Sequence, residues 1–346
     1  MQLAYGEIRM SLHRTLSARN SGRAFIAGLT VVAGGLLVAL QPGAAHAQAL
    51  EVPTRQLRIV VPFTAAGPND FITRLVAQKL GERWGQPVLV DNRPGAGGNI
   101  GTIAVARAPA DGSTLLLHST AYLVNASLYA NPGYDPFRDL VPVTLAAVSE
   151  LIFVAHPTLG PRSMREVVTR SRGAPINVGS PGTGTTGHLG IEMFRKLAEA
   201  DLQVINYKGA APALQELMGG QITLALAAIP PTLPLIKSGR LAAVAVTGPK
   251  RLPILPEVPT VSESGFPDYL VDNMYMFMAP AATPAAVVRM LREHIAQVLA
   301  LPEVRERLAA QAFEPVASTP QFLEARIREE HAKWARVIKE SGARAE

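Results

Sequence analysis

The run INVGSPGTGTTGH, residues 176–188, sets an apolar strand, a loop of small residues and a helix start in immediate succession. The strand is 176–178, the loop 179–187, and the helix opens at His188. The same design stands earlier in the chain, as the apolar run 57–61, the loop 62–69 and a helix from Asp70. A helix start carries N–H groups without intrahelical partners and the positive end of the helix dipole. Small residues let an anion approach that backbone closely. Two such loops in separate halves of one chain imply a clamp on something negatively charged.

Strand and helix alternate outward from both loops. After 57–61, Ile72, Leu75, Val76 and Leu80 recur at helical spacing; a strand at 88–90, a tight loop at 91–98, a helix at 100–108 and a strand at 114–117 follow. Proline punctuates 131–136, and Leu140–Ala155 reads as one or two extended segments. The second series is the strand 176–178, helix 188–200, strand 202–207, helix 211–218, strand 222–227 and strand 241–246. A proline-rich loop at 253–267 leads to an extended 275–278. Amphipathic helices are expected at 284–300 and 320–339, opened by Thr283-Pro284 and Thr319-Pro320. Strands and helices joined this closely predict an α/β fold with mostly parallel sheets. The length suits two domains. If the last helices return to the first sheet, the chain crosses between domains twice, which makes a hinge and a cleft. The expected division is 48–150 for domain one, 151–272 for domain two and 273–346 for the return.

The N-terminus reads as an address. Arg9, Arg14, Arg19 and Arg23 precede an uncharged apolar run at 24–40, and Ala45-His46-Ala47 supplies a small-x-small cleavage pattern. Cleavage after Ala47 leaves Gln48 as the mature N-terminus, and Met10 is a second candidate start. The rival reading, a membrane anchor, rests on a run that only just spans a bilayer and is interrupted by Gly28, Gly34 and Gly35. Removing 1–47, with its four Arg and one Glu, lowers the formal net charge from +6 to +3. With no basic run interleaved by aromatics, nucleic acid is not an expected partner. The chain has no cysteine, so disulfides, thiolate metal sites, a lipid anchor and a cysteine nucleophile are all excluded.

Gly182-Thr183-Gly184-Thr185-Thr186-Gly187 also satisfies GxGxxG, the dinucleotide fingerprint of a reductase. That reading requires an acid at the end of the next strand to hold a ribose. The strand 202–207 ends at Lys208, and Asp201 lies before it. Ser180 is not in a nucleophile elbow, and His188 has no orienting acid, so no catalytic residue is assigned. His118, His156, His188, His294 and His331 have no metal-ligand spacing, so no metal or cofactor is expected. Asp70 reads as a helix N-cap, compatible with ligand contact. Ser119 and Thr120 follow a strand at its C-terminal end, where parallel sheets place their ligands. Lys208 has the same standing.

Together the motifs carry a resemblance. IVVPFTAAGPND (59–70), DNRPGAGGNIG (91–101), DGSTLLL (111–117), YDPFRDLVP (134–142), GSPGTGTTGHL (179–189), YKGAAP (207–212), AVT (245–247), LPEVPTVSESG (255–265), APAATP (279–284) and Lys333-Trp334 run nearly end to end. In order and spacing the chain resembles the tripartite tricarboxylate transporter substrate-binding proteins, the Bug-type or TctC-like receptors. The resemblance implies a two-domain, type II-like Venus-flytrap receptor of the periplasm with two hinge crossings. It also implies that the two loops face each other across a cleft and hold a small carboxylate for delivery to the transporter's membrane subunits. A sensor docking on a membrane signalling protein is the alternative. The expected ligand-binding residues are Phe63, Thr64, Ala65, Ala66, Gly67 and Asp70; Ser119 and Thr120; Ser180, Gly182, Thr183, Gly184, Thr185, Thr186 and His188; and Ala227. Three departures from the family pattern stand out. Ala66 replaces a glycine and is expected to narrow the pocket. Ala227-Ala228 replaces an acid and an asparagine, which argues against an amino-acid ligand. Met274 stands where relatives often carry Trp, suggesting a more apolar pocket.

Overall fold

A computed structural model describes residues 55–344; the leader and its cleavage point lie outside the described residues. The chain runs β1 (Arg58–Val61), α1 (Pro68–Trp84), β2 (Leu89–Asn92), α2 (Asn99–Ala106), β3 (Thr114–Ser119), α3 (Ala121–Leu128) and β4 (Leu140–Ala155). It continues through α4 (Met164–Ser171), β5 (Ile176–Ser180), α5 (Thr186–Leu197), β6 (Leu202–Asn206), α6 (Ala210–Met218), β7 (Leu224–Ala228), α7 (Ile229–Lys237) and β8 (Ala242–Val246). The last elements are β9 (Asp272–Pro280), α8 (Ala285–Leu299), α9 (Pro302–Ala310), β10 (Glu314–Pro315) and α10 (Pro320–Ser341).

The strand order β2-β1-β3-β9-β4-β7-β5-β6 contains two parallel triplets, β2-β1-β3 and β6-β5-β7. Among the described residues, parallel pairing between strands is confined to them, with one isolated parallel bridge between Val246 of β8 and Thr260. Between the triplets β9 and β4 run antiparallel, and β8 and β10 add to β4. Each triplet is built by a β-α-β-α-β-α run, so the second half repeats the first. The strand β4 belongs to both halves: it pairs with β9 from Leu140 to Glu150, then with β7 from Leu151 and with β8 from Ile152.

Burial on both faces explains the short, wholly apolar strands. On one face of the first half-sheet, Ile59, Leu115, Leu117 and Phe277 pack with α1 and α8; on the other, Val60, Leu116, Met274 and Met276 meet Tyr122, Leu323 and Ile327. In the second half, Phe153, Val178, Leu224 and Leu226 pack with α4 and α5, while Ile152, Val154, Ala225 and Ala227 face α6 and α7. The elements do not respect the halves completely. Val124 and Leu128 of α3, and Trp334, Val337 and Ile338 of α10, join the second half's core.

Several elements depart from the sequence expectation. The helices α3, α4, α7 and α9 were not expected. In α7 three prolines mask a helix: Pro230 and Pro231 lie in its first turn, where no N–H is needed, and only Pro234 removes an internal bond. In α4 the signal was present, since Ser163 accepts from Glu166 N–H as an N-cap. The cap expected from Thr319 forms, accepting from Phe322 N–H at 3.2 Å. Thr283 does not cap; Pro284 itself is the N-cap of α8.

Candidate functional site

The two loops fold as equivalent cradles at the C-terminal ends of β1 and β5. In the first, Gly67 is the N-cap of α1 and offers no side chain. Asp70 therefore does not cap the helix, as its sequence position suggested; it is the third helical residue and reaches back. Its Oδ2 accepts from Ala66 N–H at 2.9 Å and from Arg74 Nε at 2.8 Å. Its Oδ1 accepts from Asn92 Nδ2 at 3.0 Å. Asn92 also donates to the carbonyl of Phe63 at 3.1 Å, so the end of β2 holds both ends of the loop. Burial alone would raise the Asp70 pKa; Arg74, the Ala66 N–H and Asn92 outweigh it and keep the carboxyl below its ordinary range.

The second cradle repeats the device with different chemistry. Thr185 is the N-cap of α5 and accepts from His188 N–H at 3.2 Å. His188, again the third helical residue, accepts from Gly184 N–H through Nδ1 at 3.1 Å. Thus Asp70 and His188 each hold the N–H four residues before them, and both held residues are left-handed: Ala66 has φ 67° and Gly184 has φ 73°. Burial, with a smaller contribution from Arg195, lowers the His188 pKa and keeps the ring neutral. Its Nε2 lies 4.0 Å from Glu192.

The remaining polar side chains of the second loop are largely engaged within the protein. Ser180 is fully buried and accepts from Gly182 N–H at 3.1 Å. Thr185 donates to the Gly182 carbonyl at 2.7 Å, and Thr186 donates to Asn273 Oδ1 on β9 at 2.6 Å. What remains for a ligand is backbone. Among the described residues the N–H groups of Thr64, Ala65 and Gly67, and of Thr183 and Thr186, meet no protein acceptor. Thr64, Ala65, Ala66 and Thr183 are exposed, and Phe63, Gly67 and Gly182 are half-buried.

Other expected residues are placed differently. Thr120 is buried, and its hydroxyl accepts from Met274 N–H at 2.8 Å, tying α3 to β9. Ser119 is half-buried beside it. Ala227 is 1% exposed and packed in the apolar core, so its methyl group faces neighbouring core residues. Met274 is likewise enclosed in the first half's core rather than lining an open pocket. Ala66 is exposed, so its effect is backbone strain more than a narrowed pocket. The strand β6 ends at Asn206, which leaves the GxGxxG loop without a ribose acid.

No sequence signal assigns a role to Asn92, Arg74, Asn273 or His118. The last is buried at the end of β3, edge-on to Phe63 at 5.2 Å, and burial depresses its pKa to about 3. A cavity of about 840 Å³ lies away from the loops, between the end of α5 and the end of α10. Its wall includes paired charges, with Arg195–Glu192 at 2.6 Å and Lys196–Glu340 at 2.7 Å, and it has none of the free N–H groups the loops present.

Known proteins resemble this chain in sequence and in fold. The chain is 35% identical to protein BugT of Bordetella pertussis over 314 residues, covering 90% of this chain and 96% of BugT. An R. palustris protein solved with adipate is 33% identical, with a TM-score of 0.76 over 85% of this chain and 99% of that one. The periplasmic binding protein BugD is 34% identical, with a TM-score of 0.73 over 85% of this chain and all of BugD. The sequence pattern of the tripartite tricarboxylate transporter family receptors (TctC) matches residues 72–343, and the chain belongs to that family of solute receptors.

Proposed function

We propose that this receptor captures a small carboxylate between its two cradles and presents it to the membrane subunits of a tripartite transporter. The observation that carries the reading is the matched pair of helix starts, each with free N–H groups and a locked left-handed residue. Backbone N–H groups and the helix dipole favour an anion, and the acid, imidazole and hydroxyl beside them, Asp70, His188 and Ser180, are each engaged in holding the loops. The function is therefore binding rather than catalysis. Thr64–Gly67 on one side and Thr183–Thr186 on the other hold the carboxylate; Asp70, Ser180, Thr185 and His188 shape the loops that do so.

The ligand has no amine. Asp70 is the only acidic residue in the two loops, and it is already engaged by Ala66, Arg74 and Asn92. No carboxylate is left there to pair with an ammonium group. The domains divide near residues 150 and 272, with α10 shared between them. The leader directs the chain to the periplasm, and cleavage follows Ala47; N-terminal sequencing of the exported protein should begin at Gln48.

The test is to denature the purified protein, identify what it releases by mass spectrometry, and then titrate adipate, succinate and glutamate by calorimetry. Binding of a des-amino carboxylate is expected. Binding of glutamate alone would refute the amine-free reading, and failure of every carboxylate together with release of a non-anionic compound would refute the anion clamp.

A further inference from the structure

The two strands that join the halves place a pair of carboxyl groups opposite each other at the crossing. Glu150 and Asp272 are the last register partners of the β4/β9 ladder, and at the next residue, Leu151, β4 leaves β9 for β7. Thr247 stitches this point: its hydroxyl accepts from Leu151 N–H at 2.8 Å and donates to the Val271 carbonyl at 2.6 Å. One oxygen of each carboxyl, Glu150 Oε2 and Asp272 Oδ1, is buried without a hydrogen-bond partner. The Glu150 carboxyl lies directly on the α-carbon of Gly248, where any side chain would collide with it at 1.8 Å.

The surrounding charges are unequal. From β9 Glu150 faces Asp272, from β10 it faces Glu314, and from the loop after β8 it receives only the Gly248 N–H. Asp272 faces Arg326, Glu330 and Lys333 of α10, with Arg326 at 3.4 Å. Both carboxyls are pushed toward the protonated form: Asp272 by burial and Glu330 against the pull of Arg326 and Lys333, and Glu150 by burial with no cation beside it. Two half-buried carboxylates in register, each with one oxygen buried and unpartnered, cannot both ionise cheaply. Two of these neighbours lie in different halves: Gly248 follows β8 of the second, while Glu314 pairs with the first-half part of β4. Any movement between the halves therefore changes the surroundings of Glu150. The next residue of β9, Asn273, holds Thr186 at the start of the second cradle.

We infer that Glu150 and Asp272 form a proton-operated hinge: a proton on Glu150 holds the halves in the arrangement described here, and its loss favours arrangements that separate or hydrate the pair. Burial, and after it Glu314 and Asp272, raise the Glu150 pKa to about 7, which puts the change near neutrality. The inference rests on the two-lobe reading.

The chain has no cysteine, so Arg107→Cys and Lys237→Cys, both exposed and one in each half, give two unique spin-label sites. Interspin distances are measured without ligand between pH 5 and pH 9, in the labelled protein and in the same protein carrying Glu150→Gln. The expected result is a shift in the distance distribution with its midpoint near pH 7, absent in Glu150→Gln, whose distances stay at their acid-side values. Glu314→Gln, at an exposed position, should move the midpoint to lower pH and serves if Glu150→Gln does not fold; an unmoved midpoint there overturns the proposal. A shift of equal size with and without Glu150 overturns the proposal and leaves the two lobes standing. A distribution fixed at every pH in both proteins overturns the hinge and the two-lobe reading together.

Discussion

Ala66 has a non-glycine side chain at φ 67°, a conformation disfavoured for L-residues by about 1–2 kcal/mol. It is held there because Asp70 takes its N–H. Its counterpart Gly184 has the same backbone without the strain. Ala66→Gly should therefore stabilise the protein, by about 0.5–1 kcal/mol after the extra entropy of glycine in the unfolded chain. Denaturant unfolding measures it, and an unchanged or lower midpoint would show the strain is not real. Asp70→Ala should act oppositely, costing about 1–3 kcal/mol by leaving the Ala66 N–H without its acceptor and Arg74 without its carboxylate. It should also weaken carboxylate binding, as calorimetry would show. At this scale the sequence was partly legible. It marks Ala66 as a departure and Asp70 as a helix-start residue, but the φ angle and the partnership with Asn92 depend on how β2 lies beside β1.

The anchor at the start of α5 is an imidazole where α1 has a carboxylate, and its acceptor atom is lost on protonation. His188 holds Gly184 N–H only while Nδ1 is unprotonated. Its folded pKa is lowered below the ordinary 6.5, so its contribution to stability is full above that value. It is lost as pH falls through the folded value. The protection factor of the Gly184 amide, measured by hydrogen exchange against the intrinsic rate at each pH, should accordingly fall on acidification through the folded pKa of His188, and His188→Ala should lower it at every pH. The element pattern around both cradles could be read from apolar runs and small-residue loops because each strand is covered on both faces. The helices α3 and α7 could not: one begins without a side-chain cap, and the other carries three prolines that look like a break.

Across the whole molecule, the two halves share more than strands. Leu128 of α3 lies against Gly184, where a Cβ would come within 2.1 Å of it. Trp334, fully buried, carries α10 into the second core. Trp334→Ala should cost about 3–5 kcal/mol by the cavity it leaves, measured by unfolding. The repeat and the antiparallel join were only half visible beforehand. Alternating strands and helices imply parallel pairing, whereas the pairing of β4 with β9 links segments more than a hundred residues apart and leaves no local trace.

The last helix has a consequence for both halves. Leu323 and Ile327 complete one core, and Trp334, Val337 and Ile338 complete another. Removing α10 would open a core in both halves at once. One helix thus serves a core in each half, so neither of these two cores is complete without it.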